Sequence, residues 1–299
     1  MILCVAANPS IDRLFTVDRL VPGEIHRPAD FVQVAGGKGL NVARAAATMG
    51  GDVEAAALLG GHAGRWIAQE LEVEGVHLHA TWANAETRSS LSVAGALEGL
   101  TEFYEHGGPV AEEEWAAFAA LALDAAGRAD WTTISGSLPP GAPAGGYLPL
   151  VTAAPVAFDS LEAGIDGRPA IAKLNAEEAA RATGLDTGDA AGALAAAHAL
   201  RELTGGTAIV TRGLDGAVLV TPSGDALSGR VDALGPYPVG SGDAFLAGLM
   251  VALDAGHDWP SALAAALGAG AANAEQPGAG RLSRGRAETL AGTAVVSAA

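Results

Sequence analysis

The 299-residue chain is long enough to bury a sizeable core, either as one large α/β domain or as two small ones. Its net charge of −17 argues against nucleic acid or an anionic membrane surface as a partner, because both would repel the chain. An anionic substrate would need a local cationic pocket, and the only two lysines of the sequence, Lys38 and Lys173, both lie in motifs described below.

The single cysteine, Cys4, excludes an intramolecular disulfide, so a reducing cytoplasm is the simplest compartment. We interpret Cys4 itself as a small buried strand residue. No basic region precedes the first apolar stretch, and no apolar run approaches the roughly 20 residues of a membrane span. We therefore expect neither a signal peptide nor a membrane segment.

The first apolar run, residues 2–7, is typical of a buried parallel strand and stops at Asn8. Ligands of open α/β sheets bind at the carboxyl ends of the strands, which is where Asn8 and Asp12 fall. Residues 14–17 and 31–34 then form two short runs that contain β-branched and aromatic residues. These runs predict strands of a small extra sheet rather than part of a βα repeat.

A glycine-rich segment then opens a helix that we predict to run to about residue 50. Gly36 and Gly37 let the backbone approach a ligand closely, Lys38 brings positive charge, and Asn41 offers both a donor and an acceptor. This chemistry suits a sugar or a phosphate. The spacing is neither that of a Walker loop nor that of a dinucleotide fingerprint. A glycine hinge ahead of a packed helix is the structural alternative.

Residues 53–59 predict another strand and residues 64–74 a helix. Residues 87–93 and 100–104 predict a second pair of small strands that joins the first pair. A lone arginine is more often a surface charge. On this strand edge, however, Arg88 could hold a phosphate through two parallel hydrogen bonds.

From residue 112 helical and strand patterns alternate regularly, which predicts a mostly parallel sheet covered by helices on both faces. A final helix is predicted at 261–273, and the tail from about residue 290 carries little information. A helix at 112–126 leads to predicted strands at residues 131–135, 156–159, 170–174, 207–211 and 217–221.

Asn175 follows the strand that carries Lys173 and starts a helix, with Glu178 three residues on in a capping-box position. That capping role is a sufficient structural explanation for both residues. The functional alternative is that Asn175 and Glu178 order the hydrated Mg²⁺ that accompanies a nucleotide. The glycine turn at 211–216 exposes backbone that could receive this nucleotide, although many hairpins look like this.

The turn Gly240-Ser241-Gly242-Asp243 precedes an apolar run of helical composition. Unpaired N–H groups and the positive end of the helix dipole make such a helix start a natural anion site. A carboxylate beside a bound phosphate, as Asp243 would be, is placed to take a proton from an attacking hydroxyl. An ordinary N-capped helix after a glycine turn is the alternative.

Six motifs follow one another along the chain: Asn8-Pro9-Ser10-Ile11-Asp12, Gly36-Gly37-Lys38-Gly39-Leu40-Asn41-Val42-Ala43, Glu86-Thr87-Arg88, Ser135-Gly136-Ser137-Leu138-Pro139-Pro140-Gly141, Lys173-Leu174-Asn175 through Glu178, and Gly240-Ser241-Gly242-Asp243. In this order they resemble the motifs of the ribokinase-like (PfkB-type) carbohydrate kinases. Within that family they most resemble the branch of the 1-phosphofructokinases and tagatose-6-phosphate kinases. The resemblance runs nearly from end to end of the chain.

The resemblance implies an α/β fold, namely a ribokinase-like three-layer α/β/α sandwich with a mostly parallel central sheet and a small β-sheet lid. It implies one domain over residues 1–299, in which the lid is inserted as segments of approximately 12–35 and 87–105. It further implies an enzyme that transfers the γ-phosphoryl group of ATP, with Mg²⁺, to a sugar hydroxyl. A homodimer formed through the lid is also expected.

By the same resemblance Asp243 is the base, and the backbone of the preceding turn, Gly240, Ser241 and Gly242, is the anion hole. The implied substrate-binding residues are Asp12, Gly36, Gly37, Lys38, Asn41, Arg88, Ser137 and Arg27. Among these, Lys38 and Arg88 would hold the phosphate already on the sugar. The implied nucleotide-binding residues are Lys173, Asn175, Thr211, Gly213, Gly216, Asn273 and Gly278, and Mg²⁺ would be held through water by Asn175 and Glu178.

Three departures from the usual pattern of the branch bear on the substrate. Ser90 and Ser92 stand where an Asn and a Lys are usual, which removes a charge from the phosphosugar pocket. Residues 101–108 differ from the usual Thr-Glu-Ile-Asn-x-Pro-Gly segment. Tyr237-Pro238 replaces the usual Asn-Thr but leaves the catalytic turn intact. The substrate therefore stays open among fructose 1-phosphate, fructose 6-phosphate and tagatose 6-phosphate.

Three other functions are alternatives to a phosphosugar kinase. A kinase of the same fold could act on an unphosphorylated sugar or a nucleoside. A nicotinamide-dependent oxidoreductase would need a Gly-x-Gly-x-x-Gly after the first strand, which the sequence lacks. A non-catalytic sugar-binding protein of this fold is disfavoured because Asp243 is retained.

Overall fold

A large sheet forms the centre of the molecule. The computed structural model describes residues 1–28, 30–95, 99–162, 164–233 and 235–299. Within these residues the strands are β1 (Ile2–Ala6), β2 (Ser10–Val17), β3 (Asp30–Gly36), β4 (Val53–Gly60), β5 (His77–Ala83), β6 (Arg88–Gly95), β7 (Gly99–Tyr104), β8 (Trp131–Ser135), β9 (Val156–Asp159), β10 (Ile171–Asn175), β11 (Thr207–Thr211), β12 (Ala217–Val220), β13 (Ala226–Arg230) and β14 (Val295–Ala298).

The main sheet has the strand order β14-β13-β12-β11-β10-β9-β8-β1-β4-β5. Neighbouring strands pair in parallel from β11 across to β5, whereas β12, β13 and β14 extend the sheet as antiparallel strands. The carboxyl ends of the parallel strands therefore lie along one edge, which is the edge where ligands of such sheets bind.

Helices cover both faces of this sheet: α1 (Lys38–Thr48), α2 (Gly61–Val73), α3 (Glu112–Ala126), α4 (Leu148–Ala153), α5 (Ala176–Thr183), α6 (Ala190–Thr204), α7 (Ser241–Asp254), α8 (Trp259–Ala274) and α9 (Arg284–Thr293). Side chains alternate along β1, so Ile2 and Cys4 pack with α1, α2 and α7 to α9, while Leu3 and Val5 pack with α3 and α4. α5 and α6 continue the second face over β10 and β11. The predicted three-layer arrangement and the buried position of Cys4 are confirmed.

A second sheet of four strands, here called the small sheet, has the order β3-β2-β6-β7. β2 pairs in parallel with β6, and the other two pairs are antiparallel. This register places Asp12 opposite Ser90 and brings the chain back to Gly36 at the start of α1. The predicted lid segments, 12–35 and 87–105, include residues 29 and 96–98, which lie outside the described residues.

The helix that follows the glycine turn, α7, packs tightly against α8 through small residues. A Cβ added at Gly248 would lie 2.7 Å from the Cβ of Ala269, and one at Gly270 would lie 3.0 Å from the carbonyl oxygen of Ser241. Only glycine lets the two backbones approach this closely. The Ala-rich and Gly-rich composition of both helices therefore has a packing explanation.

Several elements differ from the predictions. The helix at residues 261–273, predicted to be the last, is followed by α9 and by the edge strand β14. β5, α4, α6 and β13 were not predicted either. Short or edge elements carry weak periodic signals, and α9 contains two glycines and little apolar surface, so its helicity depends on packing against α8. Among the described residues, no helix combines the length and hydropathy needed to span a bilayer.

Candidate active site

A cavity of about 740 Å³ lies at the carboxyl ends of the main-sheet strands and extends to the small sheet. Its walls come from the loop after β1, the starts of α1, α5 and α7, and the turn between β11 and β12. The predicted site residues that line it are Asp12, Gly37, Lys38, Asn41, Arg88, Ser137, Lys173, Asn175, Glu178, Thr211, Gly213, Gly216, Gly240, Ser241, Gly242 and Asp243.

The turn before α7 has a backbone conformation that requires glycine at position 240. Gly240 has φ 82°, in the left-handed region, and a Cβ there would lie 2.6 Å from the Cα of Ala279. α7 begins at Ser241 and places Asp243 in its first turn. Gly240, Gly242 and the Asp243 carboxylate therefore lie at the same cavity, while the N–H group of Ser241 donates to Pro238 O at 3.1 Å.

Asp243 is only 6% exposed, and the side-chain amide of Asn41 donates a 2.8 Å hydrogen bond from Nδ2 to Asp243 Oδ2. Burial raises the pKa of Asp243 to about 6, and the negative charge of Asp159 adds to this effect against the opposing charges of Lys38 and Lys173. The carboxyl group can thus exchange a proton close to neutral pH.

Arg44 on α1 fixes the orientation of Asn41. Its guanidinium NH1 donates to Asn41 Oδ1 at 3.3 Å, which leaves the Asn41 NH₂ group to donate to Asp243. Arg44 is 4% exposed, and it also donates to the carbonyl oxygens of Ala35 and Ala279 and pairs with Glu74. It is a positioning residue that the sequence did not single out.

A buried ion-pair cluster lies between Asp243 and the start of α5. Lys173 Nζ lies 2.8 Å from Asp159 Oδ2, and Lys38 Nζ lies 3.4 Å from Asp159 Oδ1 and 3.1 Å from Glu178 Oε1. Burial would raise the pKa of Asp159, but the two lysines outweigh it and hold that pKa below its usual value. Burial would lower the pKa of Lys38, yet the carboxylates around it raise that pKa overall.

Asp159, which joins the two lysines, was missed by the sequence reasoning. Its only signal was a carboxylate at the end of the apolar strand β9, and nothing in the spacing connected it to Lys38 or Lys173. The structure shows a fully buried Asp159 whose negative charge is needed to hold two cations in one place.

The predicted cap of α5 is confirmed. Asn175 Oδ1 accepts a 2.8 Å hydrogen bond from Glu178 N, and Glu178 Oε2 accepts a 3.0 Å bond from Asn175 N. Glu178 Oε1 meanwhile accepts from Lys38. Both carboxylate oxygens are therefore engaged, although each retains an unused lone pair that can accept a hydrogen bond from water.

On the small sheet, Asp12 is held by hydroxyl and backbone donors. Ser90 Oγ donates to Asp12 Oδ1 at 2.6 Å, Ser10 Oγ donates to the same oxygen, and Gly37 N donates to Asp12 Oδ2 at 3.1 Å. A Cβ at Gly36 would lie 2.0 Å from Asp12 Oδ2, so only glycine fits beside this carboxylate. Gly36 is buried behind Asp12 and does not line the cavity.

Arg88 approaches the same end of the cavity from β6. Its NH2 donates to Asn8 O at 3.2 Å and its NH1 to Glu105 O at 3.5 Å, while its Nε is buried without a partner. Ser137 lies next to it, since Asn8 Nδ2 donates to Ser137 Oγ at 3.1 Å. Tyr104 of β7 completes this wall and was not predicted.

Besides Gly36, three predicted site residues do not reach the cavity. Arg27 is exposed in the loop between β2 and β3. Asn273 is fully buried, and its Nδ2 donates to Val239 O at 2.9 Å and to Ser241 Oγ at 3.4 Å, so it supports the glycine turn from behind. Gly278 has φ 107° and packs against Val32 and Val34. The cavity-lining residues that follow β13 or lie on α8 include small and apolar side chains: Val231, Ala233, Leu267, Ala271 and Ala274.

The mostly parallel main sheet, the four-stranded small sheet and the cavity at the carboxyl ends of the strands are those of a ribokinase-like α/β fold. Residues 2–284 match the family model described as pfkB family carbohydrate kinase, and the chain belongs to that family. It is accordingly an ATP-dependent sugar kinase.

The relatives agree in class. The chain is 32% identical over 262 residues to a 1-phosphofructokinase of Haloferax volcanii, which covers 86% of this chain and 85% of that protein. A 1-phosphofructokinase of Xanthomonas campestris pv. campestris is 32% identical over 274 residues, with 84% and 83% covered.

Among solved structures, phosphofructokinase-2 from Escherichia coli in complex with substrates and products superposes with a TM-score of 0.88 at 23% identity, covering 97% of this chain and 98% of that one. Its tetrameric inhibited form gives a TM-score of 0.87 at 22% identity over the same shares. At these identities the likeness establishes the fold alone.

Proposed function

We propose that the enzyme transfers the γ-phosphoryl group of ATP to a hydroxyl of a phosphorylated ketohexose of the fructose 1-phosphate, fructose 6-phosphate or tagatose 6-phosphate type, with Asp243 as the base. The observation that carries this proposal is the buried Asp243, hydrogen-bonded to Asn41 in the first turn of α7, with a pKa raised to about 6. The two 1-phosphofructokinase relatives support the class of substrate.

In the proposed reaction the sugar hydroxyl oxygen forms a bond to the γ-phosphorus. The bond from that phosphorus to the oxygen bridging the β-phosphate breaks, and ADP leaves with the electron pair. Asp243 takes the hydroxyl proton. The N–H groups of Gly240 and Gly242 stabilise the transferred group, because helix-start donors in a partly dry cavity are strong electrostatic catalysts. The N–H group of Ser241 donates to Pro238 O, so Ser241 acts in the anion hole by holding the turn in shape.

Lys38 acts on the transferred phosphoryl group in this proposal, rather than on the phosphate already carried by the sugar. Lys38 forms ion pairs with Asp159 and Glu178, and its positive charge lowers the pKa of Asp243 against the effect of burial. The phosphate on the sugar is then held by Arg88, whose buried Nε has no partner, and by Ser137. Asp12 and Asn41 orient the sugar hydroxyls. Arg27, exposed outside the cavity, is not used.

ATP is proposed to lie along Thr211, Gly213 and Gly216, with its phosphates directed toward Lys173 and Asn175. Mg²⁺ would screen the phosphate charges when bound. Asn175 and Glu178 fit a hydrated ion, because the helix cap already uses Glu178 Oε2 and Lys38 already uses Glu178 Oε1, so direct coordination would compete with both. We therefore place Mg²⁺ one water away from this pair.

Residues 1–299 are proposed to form one domain. Within it the small sheet is proposed to act as a lid that excludes bulk water during transfer. A homodimer through its outer surface is also proposed. Large apolar side chains are exposed on and next to the small sheet, with Ile25 at 82%, Phe31 at 66% and Phe103 at 56%. Exposed apolar groups at one surface favour an interface.

One specific observation favours a second candidate, a kinase for an unphosphorylated sugar. Ser90 Oγ donates to Asp12, and Ser92 Oγ donates to Glu102 Oε1 at 3.3 Å, so neither offers positive charge to a substrate phosphate. Arg88 is then the one arginine among the described residues that line the cavity.

An ADP-release screen separates these candidates. ATP and Mg²⁺ would be incubated with the enzyme and with fructose 1-phosphate, fructose 6-phosphate, tagatose 6-phosphate, fructose, ribose or adenosine. The proposal expects kcat/KM to be highest for one of the sugar phosphates. Higher kcat/KM with a free sugar would establish the second candidate, and tight sugar binding without ADP release from any of them would rule out both.

A further inference from the structure

A cluster of metal-ligating side chains lies at the opposite end of the main sheet from the cavity. Glu54 is the second residue of β4, and His77 and His79 are on the edge strand β5. The parallel register pairs Glu54 with His77, and His79 lies two residues on, so all three side chains leave the same face of the sheet. Their potential ligand atoms all lie within 4.8 Å of one another.

The contacts within this cluster already resemble those of a set of ligands. His79 Nε2 lies 2.7 Å from Glu54 Oε2, and the rings of His77 and His79 meet edge to face with their centroids 4.8 Å apart. The hydrogen bond from His79 is the main cause that lowers the pKa of Glu54. Glu54 and His79 are about one quarter exposed, at 26% and 22%, so an ion can reach them from solvent.

We propose that Glu54, His77 and His79 form a binding site for a borderline transition metal ion such as Zn²⁺. Imidazole nitrogen and carboxylate oxygen are the ligands that such ions take, whereas Mg²⁺ and Ca²⁺ prefer oxygen ligands alone. Three protein ligands leave a fourth position for water. Because the ligands come from two hydrogen-bonded strands, little backbone has to be ordered when the ion binds.

The site is separate from the proposed kinase chemistry. From Glu54 to the carboxyl end of β4 at Gly60 the strand spans roughly 20 Å, at about 3.3 Å per residue. An ion there cannot reach a nucleotide in the cavity. Its expected effect is structural, since it would fasten the edge strand β5 to β4 and so stabilise the folded chain in proportion to its occupancy.

One neighbouring charge opposes the ion. Arg128, just beyond α3, acts electrostatically on Glu54 and is ion-paired with Asp124. Its positive charge should weaken cation binding, so removing it should tighten the site. This gives a variant with the opposite sign from the ligand variants.

The experiment uses the full chain, Zn²⁺ alone and a chromophoric chelator as competitor. The wild type should withhold one equivalent of Zn²⁺ from the chelator. His77→Ala and His79→Ala should lower that affinity by more than about 100-fold, because even second-shell partners of metal sites are worth 10–100-fold. The matched control His257→Ala, an exposed histidine elsewhere, should bind as the wild type does.

Two further measurements make the outcome decisive. Glu178→Gln should leave the Zn²⁺ affinity unchanged, which separates this site from the carboxylates of the cavity, and Arg128→Ala should raise it. His77→Ala should keep its ATP-dependent turnover and lose the rise in Tm that Zn²⁺ produces in the wild type. Equal Zn²⁺ affinity in the wild type and in both histidine variants would overturn the proposal, as would loss of the equivalent in Glu178→Gln alone.

Discussion

At the floor of the cavity, Asp243, Asn41 and Arg44 are buried and joined by hydrogen bonds, whereas Phe31, Phe103 and Tyr104 of the small sheet are each more than half exposed. The floor carries groups that any phosphoryl transfer to a hydroxyl would need. The small sheet carries the groups that differ from the usual pattern of the branch, such as Ser90 and Ser92. We therefore expect the reaction class to depend on the residues of α1 and α7 at the cavity floor, and the choice of sugar to depend on the small sheet.

The largest expected effect on turnover is that of replacing Asp243 at the cavity floor. Asp243→Asn should lower kcat by roughly 10²–10⁴, because a positioned base contributes that much, and should leave the affinity for both substrates nearly unchanged. ADP release measures the first and calorimetric titration the second. Asp124→Asn, an exposed aspartate on α3, is the control. Undiminished turnover in Asp243→Asn would take Asp243 out of the mechanism.

The same substitution should stabilise the fold at neutral pH. The pKa of Asp243 is raised from 3.8 to about 6, so the folded protein binds this proton more tightly than the unfolded chain does. That contribution is present at low pH and is lost as pH rises through 6. Above it the ionised group costs up to about 3 kcal/mol, at 1.36 kcal/mol for each pKa unit.

Urea unfolding of Asp243→Asn and wild type at pH 8 and pH 4 tests this expectation. The variant should be the more stable at pH 8, and the difference should shrink at pH 4. A variant that is less stable at both values would mean that burial does not raise the pKa of Asp243.

Arg88→Ala tests the role of the small sheet in binding the sugar phosphate. KM for the sugar phosphate should rise by about 10- to 150-fold, since hydrogen bonds to charged groups are worth about 1.5–3 kcal/mol, while KM for ATP and kcat change little. Arg88→Lys keeps the positive charge but loses the planar guanidinium, so its KM for the sugar phosphate should lie between the values of the wild type and of Arg88→Ala. An equal loss with a free sugar would assign Arg88 to the fold rather than to the phosphate.

The pH dependence of kcat tests the raised pKa of Asp243 at the cavity floor. Wild-type kcat should fall as pH drops below about 6, because Asp243 must be ionised to accept a proton. In Asp159→Asn the negative charge that helps to raise the pKa of Asp243 is gone, so this acid limb should move to lower pH. Asp130→Asn, at an exposed pair with the amino terminus, is the control. An acid limb that stays in place would exclude Asp159 from tuning Asp243.

The smallest expected effect is that of Ser90→Ala. Ser90 donates a 2.6 Å hydrogen bond to Asp12, and losing one neutral donor should raise KM for the sugar by about 2- to 10-fold, equivalent to 0.5–1.5 kcal/mol. Ser89→Ala on the same strand is the matched control. An unchanged KM in Ser90→Ala would show that Ser10 and Gly37 suffice to hold Asp12.

The parts of the site that the sequence predicted are those coded by short spacings. Asn175 and Glu178 are three residues apart, and the glycine turn directly precedes the helix of Asp243, so local rules were enough. Asp159, Arg44 and Tyr104 are single residues with distant partners. Asp159 pairs with Lys38, 121 positions away, Arg44 is held by Glu74, 30 positions away, and Tyr104 is brought to the cavity by the pairing of β7 with β6. Asn273 was assigned to the nucleotide, whereas packing of α8 turns its amide toward Val239.

The strands that the sequence predicted correctly are also those with strong local patterns. Runs such as β8, β9 and β11 have strong apolar patterns bounded by turns, and their bounds match the structure. The antiparallel edge of β13 and β14 lies where the sequence has few large apolar residues. Such strands are specified by the register of their neighbours more than by their own residues.

The close seating of α7 on α8 limits which parts of the enzyme can rearrange. With Gly248 against Ala269 and Gly270 against the first turn of α7, the helix that carries Asp243 has no room to slide or rotate. α8 also forms part of the cavity wall, through Leu267, Ala271 and Ala274. We therefore expect any movement of the small sheet during turnover to occur at the four segments that join it to the rest of the fold, residues 7–9, 37, 84–87 and 105–111, while Asp243 keeps its position.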